Sequence, residues 1–338
     1  MTPSCRKTQR ISACETRRFL LAVGAAASMM GSVIAHAQTD AYPVKPVRVI
    51  VGQAPGGATD IVGRMVAAKM TEVIGQTVLV ENRTGAAGSI AAAIVAKSPP
   101  DGYTILLVSS SYAINPSLYA KLPYDPQKDL APITLLAEAP FVLVVHPSMP
   151  VKNVRELIAL AKAKPGALNY GSGGMGSSGH LAGALFESLA GVKLVHVPYK
   201  GAAPAQVDVI AGQVHLMFAS VISTIPHMKA QRMRGLGVTS VRRSAALPQM
   251  PTVAEAGVPG YSTGSWYALL APAGTRPAPI ERLASAGKKA VASPELRQRL
   301  LADGAEPEGS SPAEFEKFLG AEIAKWRKVA AKAGLKPE

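Results

Sequence analysis

The sequence has almost no cysteine, with only Cys5 and Cys14 in 338 residues. The chain beyond them can therefore form no disulfide, no thiolate metal site and no thiol nucleophile. Aromatic residues make up only 5%, which is too few for a surface that stacks nucleic-acid bases. Charged residues are also sparse, at 17%, whereas hydrophobic residues reach 48%, a balance that excludes disorder and supports a buried core.

The first 37 residues have the pattern of an export signal. Residues 1–18 carry five basic side chains and one acidic side chain, and residues 19–34 carry no charge. Ala35-His36-Ala37 then matches an A-x-A cleavage site. We expect export with cleavage after Ala37 rather than a membrane anchor, because the apolar run is rich in alanine and glycine and has no stop-transfer pattern. Residues 16–18 resemble a twin-arginine signal, so the twin-arginine and general secretory routes both stay open.

The chain after Ala37 remains basic, with 31 basic and 21 acidic side chains and a net charge of +10. These basic residues form no stripe that would follow a nucleic-acid backbone, and several occupy the predicted solvent face of the last helix. We therefore expect a diffuse positive field that favours small anionic partners, and no nucleic-acid partner.

Short apolar runs alternate with helical patterns along this chain. The first series predicts strands at 47–51, 78–81 and 104–108, and helices at 61–73 and 89–97. The second predicts strands at 168–170, 194–197 and 214–218, and helices at 153–164, 178–190 and 203–211. This alternation is typical of an α/β fold with parallel sheets covered by helices on both faces. A chain of over 300 residues also favours two lobes over one.

Two longer apolar segments, 141–146 and 266–271, bracket the second series, and we predict that they connect the lobes. A final helix is predicted to begin at a cap formed by Ser311, Pro312 and Glu314 and to end before Gly334. Its aromatic side chains lie on one apolar stripe, which predicts a core position for them.

Two short motifs match enzyme signatures without the required context. Gly260–Gly264 fits G-x-S-x-G, but its strand follows the motif and no histidine lies downstream of it. Gly174–Gly179 fits G-x-G-x-x-G, but the next strand runs into residues 197–201 without an acidic residue. We therefore predict neither a serine hydrolase nor a dinucleotide-binding enzyme. A glycine-rich loop before a helix still presents backbone N–H groups to an anion, and residues 52–60 form a second loop of this kind.

The five histidines after Ala37 show no pairing typical of a metal site, and we predict neither a metal nor a cofactor. His180 follows a glycine-rich loop, so it either lines a ligand site or packs as a structural residue. Asp60 also has two interpretations, since it either binds a substrate amine or stabilises the start of its helix.

Seven segments after the signal resemble the tripartite tricarboxylate transporter substrate-binding proteins, the Bug family. They are VGQAPGGATD (51–60), VENRTGAAG (80–88), PDGYT (100–104), AINPSLY (113–119), VHVPYKG (195–201), GQV (212–214) and LPQMPTVAEAG (247–257). The resemblance implies a type II periplasmic binding protein. Its first lobe would comprise residues 38–141 and 270–338, its second lobe residues 142–269, and two hinge crossovers would flank a ligand cleft.

The resemblance further implies a monomeric periplasmic receptor that is not an enzyme. Such a receptor captures a small organic carboxylate and delivers it to integral membrane transporter subunits. Docking of the same ligand-bound form on a membrane signalling protein is the alternative.

The family pattern implies that two glycine-rich loops hold the carboxylate through backbone N–H groups and ordered water. The residues expected to contact the ligand are Gln53, Ala54, Gly56, Gly57, Thr59, Asp60, Ser110, Ser172, Gly173, Met175, Gly176, Ser177, Ser178, His180, Tyr199 and Ala219.

The chain departs from the family pattern at four of these positions. The family often has phenylalanine at the position of Gln53, asparagine at Met175, threonine at Ser177 and aspartate at Ala219. Because an aspartate is a natural partner for an amino group, its replacement by alanine predicts a ligand without an ammonium. A dicarboxylate, tricarboxylate, hydroxy acid or aromatic acid fits this expectation.

Overall fold

A computed structural model describes residues 42–332 of the protein. The predicted export signal, its cleavage after Ala37 and the helix end near Gly334 lie outside these residues. The strands are β1 (Val47–Val51), β2 (Val78–Asn82), β3 (Thr104–Ser109), β4 (Leu130–Val145), β5 (Asn169–Ser172), β6 (Val195–Pro198), β7 (Leu216–Ser220), β8 (Arg234–Val238), β9 (Gly264–Pro272) and β10 (Glu306–Pro307).

Helices follow most of these strands. They are α1 (Ala58–Ile74), α2 (Ser89–Ala96), α3 (Ser111–Ile114), α4 (Val154–Ala163), α5 (Ser178–Ala190), α6 (Ala202–Ile210), α7 (Val221–Lys229), α8 (Pro277–Ala292), α9 (Pro294–Ala302) and α10 (Pro312–Lys332). The predicted α/β alternation of both series is confirmed. Six of the helices and strands were not expected from the sequence patterns: α3, α7, β8, α8, α9 and β10.

The strands pair in the order β2-β1-β3-β9-β4-β7-β5-β6, and β8 and β10 also pair with β4. Within each predicted series the pairing is parallel, as β1 pairs with β2 and β3, and β5 pairs with β6 and β7. The two long strands β4 and β9 instead run antiparallel to their neighbours. The sheet is therefore mixed rather than wholly parallel.

Strand β4 links the two series by changing partners along its length. Residues 130–140 pair with β9, whereas residues 141–145 pair with β7 and β8. The predicted connection at 141–146 is thus the second part of a continuous strand. Strand β9 spans Gly264–Pro272 and pairs with β3 and the first part of β4. The predicted lobe boundary at 269/270 therefore falls inside this strand. The described chain after Tyr42 forms one compact unit by its contacts, and the division into lobes stays a prediction.

Two separate hydrophobic clusters accompany the two series. One gathers β1, β3 and β9 around Trp266, Phe315 and Trp326, and the other gathers β4, β5 and β7 around Phe186 and Phe218. The predicted core position of the C-terminal aromatics is confirmed, since Phe315 and Trp326 are buried. The predicted caps also form: Asn153 Oδ1 accepts the Glu156 N–H at 2.9 Å, and Glu314 Oε2 accepts the Ser311 N–H at 2.8 Å.

Candidate functional site

A cavity of about 210 Å³ lies where the carboxyl ends of β1, β3, β5, β6 and β7 meet the helices that follow them. By the same measure one water needs about 10–15 Å³, so the cavity has room for an organic acid of roughly a dozen non-hydrogen atoms. Ligands of open α/β sheets bind at this edge, because the loops after parallel strands converge there.

Helix N-termini supply much of the cavity wall. The wall includes Gly57–Thr59 at the start of α1, Ser177–Gly179 at the start of α5, and Gly201 and Ala202 at the start of α6. The first turn of a helix has backbone N–H groups without intrahelical acceptors, and its dipole favours negative charge. No side chain caps α1 or α6. These N-termini are therefore available to an anion.

Buried hydroxyl groups lie in a second part of the wall and directly behind it. We call Ser109, Ser110, Ser111, Ser178 and Ser265 the serine cluster. Ser110 Oγ lies 2.7 Å from Ser178 Oγ and donates to Ser265 Oγ at 3.2 Å, and Ser111 Oγ lies 3.3 Å from Ser178 Oγ. The cluster joins the end of β3, the start of α5 and the start of β9. Its hydroxyls can turn to donate to an anion.

Tyr267 adds a phenolic hydroxyl 3.0 Å from Ser220 Oγ, and both residues line the cavity. Burial raises the pKa of the Tyr267 phenol, although its hydrogen bonds to Ser220 and Ser265 partly lower it. The phenol therefore stays protonated at neutral pH and remains a hydrogen-bond donor.

Charge is distributed unevenly in the wall. Lys200 is the one lysine or arginine among the described residues that line the cavity, and these residues include no aspartate or glutamate. Lys200 is exposed, whereas the serine cluster is buried, so the positive charge lies at the rim. The site therefore favours anions and offers no carboxylate partner for a cation.

Asp60 does not line this cavity, and its carboxylate is engaged by groups of the protein itself. It accepts the Gly56 N–H at 3.0 Å, Arg64 Nε at 3.0 Å and Asn82 Nδ2 at 2.9 Å. Burial alone would raise the pKa of Asp60, but these hydrogen bonds outweigh that effect and hold the pKa below its ordinary value. Asp60 thus fixes the loop before α1 and is not free to bind a ligand amine.

His180 lies behind the second glycine-rich loop rather than on the cavity wall. Its ring stacks on His196 with 4.1 Å between centroids, and its Nδ1 accepts the Gly176 N–H at 3.3 Å. Burial lowers the pKa of His180 to about 4. Burial and the neighbouring His180 lower the pKa of His196 to about 3, and its Nε2 lies 2.6 Å from Ser172 Oγ. Two neutral imidazoles therefore hold residues 172–176 in place at neutral pH.

Acidification from pH 7 to pH 4.5 is expected to destabilise the protein through His180. The pKa of His180 is about 4 when folded and about 6.5 when unfolded. The unfolded state therefore binds more protons between these values, and stability present above about pH 6.5 is lost as the pH falls. Urea unfolding measures the free energy of unfolding at pH 7 and at pH 4.5. The difference between these two free energies should be about 2 kcal/mol smaller in His180→Gln than in the wild type.

His146→Gln is the matched control for this experiment, because His146 does not line the cavity and stacks on neither of the two imidazoles. It should leave the pH dependence unchanged. An equal reduction in both variants would contradict the assignment to His180.

The structure brings most of the predicted ligand contacts onto one cavity wall. Those lining it are Gln53, Gly57, Thr59, Ser172, Gly173, Met175, Ser177, Ser178, Tyr199 and Ala219. The other six lie outside the wall. Asp60 and His180 are engaged as described, and the N–H groups of Gly56 and Gly176 turn towards them. Ala54 packs against Gly201, and Ser110 lies within the serine cluster behind the wall.

Several residues of the cavity wall were not predicted from the sequence. They include Ser109, Ser111, Phe141, Lys200, Ser220, Ser265 and Tyr267. Lys200 stands in the VHVPYKG segment, which was a usable signal. Ser265 and Tyr267 carry no such signal, because they reach the cavity only through the pairing of β9 with β3.

The α/β fold and its cavity at the carboxyl ends of the strands define a solute-binding protein. Residues 62–335 match the family model of the tripartite tricarboxylate transporter family receptor. The chain therefore belongs to this receptor family, and the resemblance drawn from its motifs is confirmed. Receptors of this family are periplasmic binding proteins.

Known proteins agree with this assignment over nearly the whole chain. The UPF0065 protein of the tcbD-tcbE intergenic region of Pseudomonas sp. (strain P51) is 40% identical over 314 residues, 93% of each chain. An R. palustris protein solved with adipate has a TM-score of 0.86 and 39% identity, covering 88% of this chain and 100% of its own. MatC from Rhodopseudomonas palustris with bound malate has a TM-score of 0.81 and 32% identity, covering 85% and 99%.

Between residues 42 and 332 no helix combines the length and apolarity needed to cross a bilayer.

Proposed function

We propose that this protein, a monomer exported with cleavage after Ala37, captures a small organic carboxylate and delivers it to a tripartite tricarboxylate-type membrane transporter. It binds its ligand and catalyses no reaction. The observation that carries the proposal is the cavity, which combines helix N-termini, buried hydroxyls and Lys200 without a carboxylate. The adipate and malate bound by the two similar proteins of known structure support a carboxylate ligand.

The ligand contacts belong to the ten predicted residues on the cavity wall, together with Ser109, Ser111, Ser265, Tyr267 and Lys200. Hydrogen bonds to a charged group contribute about 1.5–3 kcal/mol each, and micromolar binding requires about 8 kcal/mol. Three or four such bonds are enough if the loops are held in advance, as Asp60 and His180 hold them here. An arginine clamp is not required.

Two contacts beside the cavity join residues of the two predicted lobes. Tyr119 Oη donates to the Met175 carbonyl at 3.1 Å, and a Cβ atom on Gly201 would lie 2.5 Å from Ala54 Cβ. Gly201 also has a φ of 124°, which favours glycine. Hinge opening at β4 and near β9 would separate these contacts and release the ligand to the transporter.

The ligand is expected to lack an ammonium group. Ala219 contributes only a methyl group to the cavity, and Asp60 is engaged by Arg64, so no carboxylate on the wall can pair with an amine. Because an unpaired buried ammonium is costly, glutamate and aspartate should bind at least about tenfold more weakly than adipate and succinate. Isothermal titration calorimetry measures this ratio. Tight binding of the amino acids without binding of the plain acids would contradict it.

Variants of Ala219 test the same point from the protein side. Ala219→Asp should weaken adipate binding by about tenfold or more, because the new carboxylate repels the ligand. Ala219→Asn has nearly the same shape without the charge, so it reports the effect of volume alone. Equal losses in both variants would remove the electrostatic explanation.

Two further measurements address the ligand and the partner. Native mass spectrometry of the purified protein should reveal a co-purifying organic acid. Uptake of labelled ligand into cells with and without the protein tests delivery to a transporter. Normal uptake without it, in cells that contain the transporter, would favour the signalling receptor instead.

A further inference from the structure

We infer that Tyr119 is a positioning residue for ligand binding, because it holds the second glycine-rich loop, residues 172–177, from the other predicted lobe. Tyr119 belongs to the predicted first lobe and the loop to the predicted second lobe. The inference rests on the proposed function and concerns how firmly the site retains its ligand.

The second glycine-rich loop contributes a large part of the cavity wall, and Gly176 is its exception. The loop residues that line the cavity are Ser172, Gly173, Gly174, Met175 and Ser177. Gly176 is buried without lining the cavity, so it packs against the protein itself.

The surface that covers Gly176 is the segment 115–119. A Cβ atom on Gly176 would lie 3.2 Å from Tyr119 Cε2, 3.3 Å from Asn115 Oδ1 and 3.5 Å from Leu118 Cδ1. Gly176 also has a φ of 74°, which favours glycine. A glycine at this position therefore lets the backbone of the loop approach the segment closely.

Tyr119 adds a hydrogen bond next to this packing contact. Its Oη donates to the carbonyl oxygen of Met175 at 3.1 Å. Two adjacent residues of the loop are thus held by one short segment, Met175 through its carbonyl group and Gly176 through its Cα. Because Met175 lines the cavity, the bond acts directly on a wall residue.

The segment 115–119 is itself fixed within the predicted first lobe. Asn115 is fully buried, and its Nδ2 donates to Ser89 Oγ at 3.0 Å and to the Ala87 carbonyl at 3.4 Å. Leu118 belongs to the hydrophobic cluster around Trp266. The segment is therefore a rigid support for the loop.

The loop has a second support in its own predicted lobe. His180 and His196 hold Gly176 and Ser172 through hydrogen bonds, and these contacts persist when the lobes separate. The contact with Tyr119 is lost on separation, so it stabilises the closed form alone. An interaction that is made only in the ligand-bound form adds its free energy to ligand binding.

Tyr119→Phe tests this inference, because it removes the hydroxyl and keeps the ring. The variant should bind adipate about fivefold more weakly in isothermal titration calorimetry, as expected for the loss of one neutral hydrogen bond. Tyr103→Phe is the matched control. The Tyr103 hydroxyl accepts the Val44 N–H at 3.0 Å and does not line the cavity, so this variant should bind adipate as the wild type does.

Hydrogen–deuterium exchange distinguishes a positioning role from direct contact of Tyr119 with the ligand. At saturating adipate, the amides of residues 174–177 should exchange about fivefold faster in Tyr119→Phe than in the wild type. Without adipate the two proteins should differ by less than about twofold, because the open form lacks the contact. Weaker binding with unchanged exchange at saturating adipate would show direct contact with the ligand and overturn the positioning role.

Gly176→Ala tests the packing contact independently of the hydroxyl. It should weaken adipate binding by about fivefold or more, because the new methyl group keeps the loop away from Tyr119 and Asn115. Gly166→Ala is the matched control, since Gly166 also has a φ of 74° and no atom lies within 4 Å of its Cβ position. It should leave adipate affinity unchanged. An equal loss in both variants would assign the effect to backbone strain and contradict the inference.

The outcomes separate this inference from the proposed function. Wild-type affinity for adipate in both Tyr119→Phe and Gly176→Ala would overturn the role of Tyr119 and leave carboxylate binding intact. No binding of any carboxylate by the wild-type protein would overturn the proposed function itself.

Discussion

Ser177→Trp is expected to abolish the thermal stabilisation that adipate gives the wild-type protein. Ser177 is buried on the cavity wall at the start of α5, so an indole at this position fills much of the cavity of about 210 Å³. A ligand present at a hundred times its Kd stabilises the folded state by about 2.7 kcal/mol, and this term disappears when binding is lost. Thermal unfolding with and without adipate measures the effect.

Ser177→Ala is the matched control, because Ser177 Oγ also accepts the His180 N–H at 3.3 Å. Loss of this cap alone should cost about 1 kcal/mol of stability and leave most of the response to adipate. If Ser177→Trp kept the full response, the ligand would have to bind at another loop.

Glu322→Ala is expected to lower the free energy of unfolding by about 3 kcal/mol. Glu322 Oε2 accepts both the Trp266 Nε1–H at 3.0 Å and the Trp326 Nε1–H at 3.1 Å. Both indoles lie in the core around α10, so the alanine variant leaves two buried donors without a partner. Urea unfolding followed by tryptophan fluorescence measures the loss.

Two variants on the same helix test this explanation. Glu316→Ala replaces an exposed glutamate and should change stability by less than about 0.5 kcal/mol. Glu322→Gln retains a carbonyl acceptor and should lie between the wild type and Glu322→Ala. A loss in Glu316→Ala as large as that in Glu322→Ala would point to helix propensity rather than to the indole bonds.

The helices and strands predicted correctly are those with strong local signals. The cap at Asn153 precedes α4, and the glycine-rich loops precede α1 and α5, where a few adjacent residues determine the backbone. Helix α7 has no such signal, because Pro226 lies inside it and serine and threonine occupy its first turns. Helices α8 and α9 are amphipathic and polar, and they join directly at Ser293.

The cavity wall divides in the same way. Gly57, Ser177 and Ser178 were predictable, because a glycine or serine before a helix is visible in a short stretch of sequence. Asp60 and His180 lie next to these residues in the chain but face away from the cavity. Only tertiary packing distinguishes the two groups, since the N–H groups of Gly56 and Gly176 turn towards the side chains of Asp60 and His180.

The sequence by itself determined the absence of thiol chemistry after Ala37, the two α/β series, the glycine-rich loops and the receptor family. These properties depend on composition, on periodicity and on motifs of a few neighbouring residues. The tertiary structure decided the direction of β9, the serine cluster and the depth of the cavity. Ser109 stands opposite Tyr267, and Phe141 opposite Ser220, through antiparallel pairs between distant segments. Such pairings depend on the packing of the whole sheet, and no local pattern encodes them.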